Sequence, residues 1–234
     1  MIFVLILAGG TGSRMGAENP KQFLEIEGKS IVGYTVETFT DNSRIDGIIV
    51  LVPDEWIGYT RNIIARDVRG AGMIDVIGGG MLRNDTIICG IDHIEKKYGL
   101  DENTMLLTHD AARPFVTRGI IDANIDALNT YSSCGTVIPA TDTMIYSRDG
   151  ISVDAVPDRT KLYRAQTPQS FHALKFRDIY ETLSAAEKAE LTDATGVFVM
   201  KGEKVGLVRG ALQNIKITYP EDLNTAESIL SSRR

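Results

Sequence analysis

At 234 residues, 43% hydrophobic and 24% charged, the chain is long enough for one globular domain with a substantial core, and no stretch has a disorder-like composition. A formal charge of −6 excludes a protein built chiefly to grip nucleic acid, which needs a basic excess, and leaves room only for a local basic pocket. Cys89 and Cys134 have no CxxC spacing, so neither a disulfide framework nor a zinc site is expected and a reducing compartment is the simpler setting.

In chain order, the apolar run 2–7 ends in Ala8-Gly9-Gly10 and predicts a strand buried on both faces of a parallel sheet. It is too short to span a bilayer and lacks the basic start of a signal peptide, so a cytoplasmic protein without membrane attachment is expected. Ile31, Tyr34, Val36 and Phe39 recur at helical spacing over 30–39, and 47–53 reads as a second buried strand, giving a βαβ unit. A helix over 56–66, a strand over 73–77, a helix over 86–98, a strand over 104–108 and a helix from Thr117 continue the alternation. Such alternation predicts a Rossmann-like, doubly wound, mostly parallel α/β sheet with its ligands at the carboxyl ends of the strands. Between Pro139 and Arg164 the pattern changes: 143–147 and 151–153 read as strands joined by Arg148-Asp149-Gly150. The expected organisation is one domain over 1–234 carrying an inserted β-hairpin arm at 139–164.

The segment most charged with chemistry is Leu7-Ala8-Gly9-Gly10-Thr11-Gly12-Ser13-Arg14-Met15-Gly16, with Pro20-Lys21-Gln22-Phe23 shortly after it. Glycines just after a strand let backbone N–H groups approach a phosphate, and Arg14 and Lys21 add the cations that phosphoryl transfer uses. A dinucleotide fingerprint fails because Met15 stands where its third glycine belongs and Asp54 lies too far on to meet a ribose. A Walker A loop fails for want of Gly-Lys-Ser/Thr at the required spacing.

The Leu7–Gly16 and Pro20–Phe23 blocks resemble the signature of sugar nucleotidyltransferases. Residues 108–115 (THDAARPF), 166–171 (QTPQSF), 191–194 (LTDA) and 214–218 (NIKIT) are similar to cytidylyltransferases that act on polyol phosphates, so the resemblance spans essentially the whole chain. It implies the nucleotide-diphospho-sugar transferase type of sheet, a homodimer, CTP and a polyol phosphate as substrates, and Mg2+ as cofactor. Two branches of that family share these blocks, one using ribitol 5-phosphate and one using methylerythritol 4-phosphate. The run 79–87 resembles a GGxxRNxTI block of the ribitol branch, and Tyr163 stands where the other branch usually has tryptophan; Ser170-Phe171 and 191–194 lean the same way. Ribitol 5-phosphate is therefore the expected acceptor and methylerythritol 4-phosphate the alternative.

The resemblance also assigns roles. Arg14, Lys21 and Lys216 are the expected catalytic cations. Leu7, Ala8, Gly9, Gly10, Gly12, Gly80, Arg83, Thr86 and Ala111 are expected to hold the nucleotide. Arg113, Thr143, Arg159, Thr167 and Thr192 are expected at the acceptor, with Arg159 reaching in from a partner subunit. Asp110, just past a predicted strand end, is the expected Mg2+ ligand. His109 is read as structural: an acceptor phosphate with a second pKa of about 6 is already an anion at neutral pH and needs no base.

Overall fold

A computed structural model describes residues 1–10 and 20–233. Within them lie β1 (Ile2–Leu7), β2 (Glu25–Ile26), β3 (Lys29–Ser30), α1 (Ile31–Thr40), β4 (Gly47–Val52), α2 (Ile57–Asp67), β5 (Ile74–Gly78), α3 (Arg83–Tyr98) and β6 (Met105–Asp110). The chain continues through α4 (Arg118–Ala127), β7 (Ser133–Pro139), β8 (Tyr163–His172), α5 (Ala173–Glu181), α6 (Ala185–Glu190), α7 (Ala194–Met200), β9 (Val205–Arg209) and α8 (Glu221–Ser231).

Seven strands form one sheet in the order β5-β4-β1-β6-β8-β7-β9. The first four are mutually parallel, as the βαβ reading requires, and β8 runs antiparallel to both β6 and β7. Alternate side chains of each central strand enter opposite cores. Val4, Ile6, Ile48 and Val50 pack with α1, α2 and α4, whereas Phe3, Leu5, Ile49 and Leu51 pack with α3, α5 and α7. Covering both faces is what makes these strands continuous apolar runs in sequence. The helix α1 begins where Ser30 Oγ accepts the Gly33 N–H at 3.0 Å, satisfying a first-turn donor.

Two features depart from expectation. Beyond the β7–β8 ladder, which ends with Pro139 opposite Tyr163, the expected strands at 143–147 and 151–153 are not formed, and one isolated antiparallel bridge, Tyr146 to Ala155, joins the two sides of the segment. The reason is local. The Asp149 carboxylate accepts the N–H groups of Ile151 and Ser152, both at 2.8 Å, and Asp154 accepts that of Arg148 at 2.7 Å, so side chains take donors that a longer ladder would use. Gly150, at φ 72°, supplies the left-handed residue of the turn. The second departure is β8, whose polar centre gives no strand signal. Its pairing with β7 jumps from Gly135 opposite Gln169 to Val137 opposite Ala165, so that residues 166–168 bulge out of the ladder.

Strand register decides where the loops meet. Leu7 pairs with Leu51 on one side and Asp110 on the other, and the ladder runs one step further through Ala8 N to Leu51 O (2.8 Å) and Ala111 N to Leu7 O (3.0 Å). Beside them Gly79 N bonds Val52 O at 2.9 Å. The ends of β1, β4 and β6 therefore finish level, and the loops that follow β1, β5 and β6 share one mouth.

Candidate active site

A cavity of about 380 Å³ opens at those strand ends, within the usual size range of small-ligand sites. Leu7, Ala8, Gly9, Gly10, Lys21, Gly80, Arg83, Thr86, Asp110, Ala111 and Lys216 all line it. Eleven residues assigned from separate stretches of sequence thus converge on one space. Gly12 and Arg14 lie outside the described residues.

The glycines serve two ends. A Cβ at Gly9 or Gly10 would meet no atom of the described residues within 4 Å, so these positions keep backbone bare where a ligand can come close. At Gly80 a Cβ would stand 2.6 Å from Asp85 Cβ and 2.8 Å from its carbonyl carbon, so the loop before α3 folds back on the helix only with glycine there. Thr86 Oγ1 secures that fold by accepting the Gly80 N–H at 3.1 Å and donating to Leu82 O at 3.0 Å.

Asp110 ends β6 and is 6% exposed. Its Oδ1 meets Arg83 Nη1 at 2.7 Å, and its Oδ2 meets Lys216 Nζ at 2.9 Å and Arg113 Nε at 3.4 Å. Burial alone would raise its pKa, but Arg83, Lys216 and Arg113 outweigh it and hold the carboxyl well below the usual carboxylate range. One carboxylate against three cations leaves a local excess of two positive charges at the mouth of the cavity. Such an excess in a partly desolvated cleft attracts phosphates and stabilises charge developing on them.

Lys21 sits in a single helical turn, Lys21–Phe23, buried to 8% exposure. Gln22 Nε2 donates to Ala8 O at 2.6 Å, and Phe23 packs against Trp56 and Tyr59, with centroids 5.2 and 5.1 Å away. The turn carrying Lys21 is thereby pinned to the end of β1. Gln22, Met81, Ala112 and Thr218 also line the cavity, although sequence reasoning gives them no role; Gln22 at least stands inside a recognisable motif.

The expected acceptor residues are more scattered. Arg113 touches Asp110 and donates to Asn214 O at 2.9 Å, whereas Thr167 lies beneath Asp110, accepting its N–H at 3.1 Å. Thr192 is exposed, next to Asp193, which caps α7 and is held by Gln169 Nε2 at 2.7 Å and, through its carbonyl, by Asn84 Nδ2 at 3.3 Å. Thr143 and Arg159 are exposed and do not line the cavity; Arg159 Nη1 donates to Thr141 O at 3.2 Å. His109 is wholly buried, and burial pushes its pKa down to about 4, in keeping with a structural residue.

Among the described residues no group of three or more His, Cys, Asp or Glu could cage a metal. Mg2+ commonly takes one or two carboxylates and completes its shell with substrate phosphates and water. Asp110 offers one such carboxylate at the cavity, its oxygens facing Arg83, Lys216 and Arg113, cations that suit phosphates beside it. No helix among the described residues is long and apolar enough to cross a membrane.

A model of the 2-C-methyl-D-erythritol 4-phosphate cytidylyltransferase family matches residues 2–232. Among solved structures, the chain is similar to 4-diphosphocytidyl-2C-methyl-D-erythritol synthase of Anaerococcus prevotii, with 29% identity and a TM-score of 0.82, over 99% of this chain and 96% of that one. It is similar to the 2-C-methyl-D-erythritol 4-phosphate cytidylyltransferase of Francisella tularensis, with 25% identity and a TM-score of 0.80 over 97% and 98% of the two chains. The corresponding enzyme of Thermus thermophilus gives 26% identity and a TM-score of 0.73 over the same shares. The expected acceptor changes accordingly: these matches favour methylerythritol 4-phosphate, the alternative, over ribitol 5-phosphate.

Proposed function

Because this chain belongs to the 2-C-methyl-D-erythritol 4-phosphate cytidylyltransferase family, and is thus a nucleotidyltransferase, we propose that its acceptor is 2-C-methyl-D-erythritol 4-phosphate. The products are then the CDP-linked polyol and pyrophosphate. Details such as Tyr163 and the 79–87 block point to ribitol, but each is a local difference, whereas the family match runs along nearly the entire chain. The observation that carries the reading is the cavity in which bare Gly9 and Gly10 backbone faces an Asp110 surrounded by Arg83, Arg113 and Lys216.

In this reading CTP lies over the glycine loop with its cytidine toward Gly80 and Thr86. An oxygen of the acceptor phosphate, already anionic, attacks the α-phosphorus in line, the bond to the pyrophosphate oxygen breaks, and no covalent enzyme intermediate forms. Lys21, Lys216 and Arg14 stabilise charge on the α-phosphate and the leaving group. Mg2+, held by Asp110, would neutralise the triphosphate. Arg113, Thr143, Arg159 and Thr192 serve the acceptor, Arg159 from a second copy of the chain. That second copy is supported by the exposed apolar side chains of residues 145–156.

The test is pyrophosphate release with CTP and Mg2+ against each of the two acceptors. The expected ratio of kcat/KM favours methylerythritol 4-phosphate by tenfold or more, a difference of about 1.4 kcal/mol in transition-state stabilisation. A ratio of that size in favour of ribitol 5-phosphate reverses the assignment.

A further inference from the structure

In β6 the N–H groups of Met105 and Ala111 point to β1, bonding Met1 O and Leu7 O at 2.9 and 3.0 Å. By alternation the N–H of Asp110 points to β8. The paired register between β6 and β8 stops at Thr108 opposite Gln169, where the β8 bulge containing Pro168 begins. There a side chain takes the place of a ladder carbonyl: the Asp110 N–H donates to Thr167 Oγ1 at 3.1 Å. Thr167 Oγ1 lies 2.9 Å from His109 Nδ1, and His109 Nε2 lies 3.0 Å from Arg113 O.

The protons in this series of bonds have only one consistent arrangement. A carbonyl can only accept, so Nε2 carries hydrogen. The imidazole is fully buried, which disfavours its charged form, so Nδ1 is bare and accepts. The single hydroxyl proton of Thr167 is then committed to Nδ1, while its oxygen accepts from Asp110. Phosphate oxygens need a donor, and Thr167 has none left.

We propose that His109 and Thr167 form a positioning pair: the hydroxyl fixes the Asp110 backbone, the ring fixes the Arg113 carbonyl, and together they aim the Asp110 carboxylate into the cavity with the Arg113 guanidinium held behind it. Thr167 then sets the geometry of the acceptor site without contacting the acceptor phosphate. The kinetic part of this inference rests on the cytidylyltransferase reading; the tautomer does not.

Two measurements test it. Nitrogen-15 NMR of the wild-type imidazole should find His109 protonated at Nε2 and bare at Nδ1, whatever the protein catalyses. A ring protonated at Nδ1 overturns the proposal. Kinetically, Thr167→Val and His109→Phe should each lower kcat by about tenfold or more, with the KM of the acceptor changed by less than about threefold. The double variant should be no worse than the poorer single one, as for two members of a single unit. Thr167→Ser, which keeps the hydroxyl, should restore most of the turnover. A Thr167→Val enzyme with normal kcat and an acceptor KM raised about tenfold, beside a His109→Phe enzyme like wild type, would make Thr167 a phosphate ligand and sink the proposal. Should the wild type release no pyrophosphate with CTP and either acceptor, the functional reading fails, and the NMR result alone decides the pair.

Discussion

Lys216 carries one of the three positive charges that face Asp110, and its side chain is 40% exposed at the cavity, so its loss takes little from the core. Lys216→Ala should therefore lower kcat by about a hundredfold or more while leaving the unfolding midpoint in urea close to wild type. Unchanged turnover at saturating CTP would remove Lys216 from the catalytic group. Lys216, Arg83 and Asp110 are each legible in the sequence because each stands in a motif whose chemistry is recognisable. That Arg83 Nη1 lies 2.7 Å from Asp110 is not, because the contact is made by the parallel register of β1 with β4 and β6 and by the return of the 79–82 loop. Asn214 escapes notice as a support of Arg113 for a similar reason. Its Nδ2 donates to Thr167 O at 2.9 Å, and nothing in the NIKIT block says that an asparagine there reaches the bulge of β8.

Strands with both faces covered are readable as apolar runs, and β1, β4, β5 and β6 fall where the alternation puts them to within a few residues. The strand β8 is not, since Gln166, Thr167, Gln169 and Ser170 are buried for their hydrogen bonds and carry no hydrophobic period. One tie between elements lends itself to measurement. On β5 the Asp75 carboxylate receives Lys97 Nζ at 2.7 Å and His93 Nε2 at 2.8 Å, joining the edge of the sheet to the last turns of α3. Burial alone would raise the Asp75 pKa, but the bonds to Lys97 and His93 outweigh it and the net shift is downward from the ordinary 3.8. A depressed carboxyl pKa stabilises the fold above the unfolded-state value and loses that contribution as pH falls through the folded value. Asp75→Asn should therefore cost about 1 kcal/mol at pH 7, typical of a partly exposed ion pair, and progressively less below about pH 4. Urea midpoints of both proteins at several pH values measure this; a deficit that grows on acidification would contradict the sign.

At the scale of the molecule, a feature left unsatisfied by a single chain is the segment between β7 and β8. Ile145, Ile151, Val153 and Val156 are 60, 92, 61 and 61% exposed, and Tyr146 is half-exposed, within twelve residues. An apolar cluster of that density, outside the buried cores of the described residues, is the kind of surface that the proposed second copy would cover. Arg159, close after it, is exposed and lines no part of its own chain's cavity. Both facts are met at once if a second copy covers the apolar side chains and receives Arg159 at its acceptor subsite. The protein should then be a dimer by light scattering at micromolar concentration. Replacing residues 144–156 with a short glycine-serine loop should give monomers that still bind CTP, because the nucleotide side of the cavity is built from β1, α3 and β6. Arg159→Ala should leave the dimer intact and raise the KM of the acceptor with little change in that of CTP. A wild-type protein that is monomeric at the assay concentration, yet fully active, would falsify the shared site. An Arg159→Ala enzyme with unaltered acceptor kinetics would confine the segment to assembly alone.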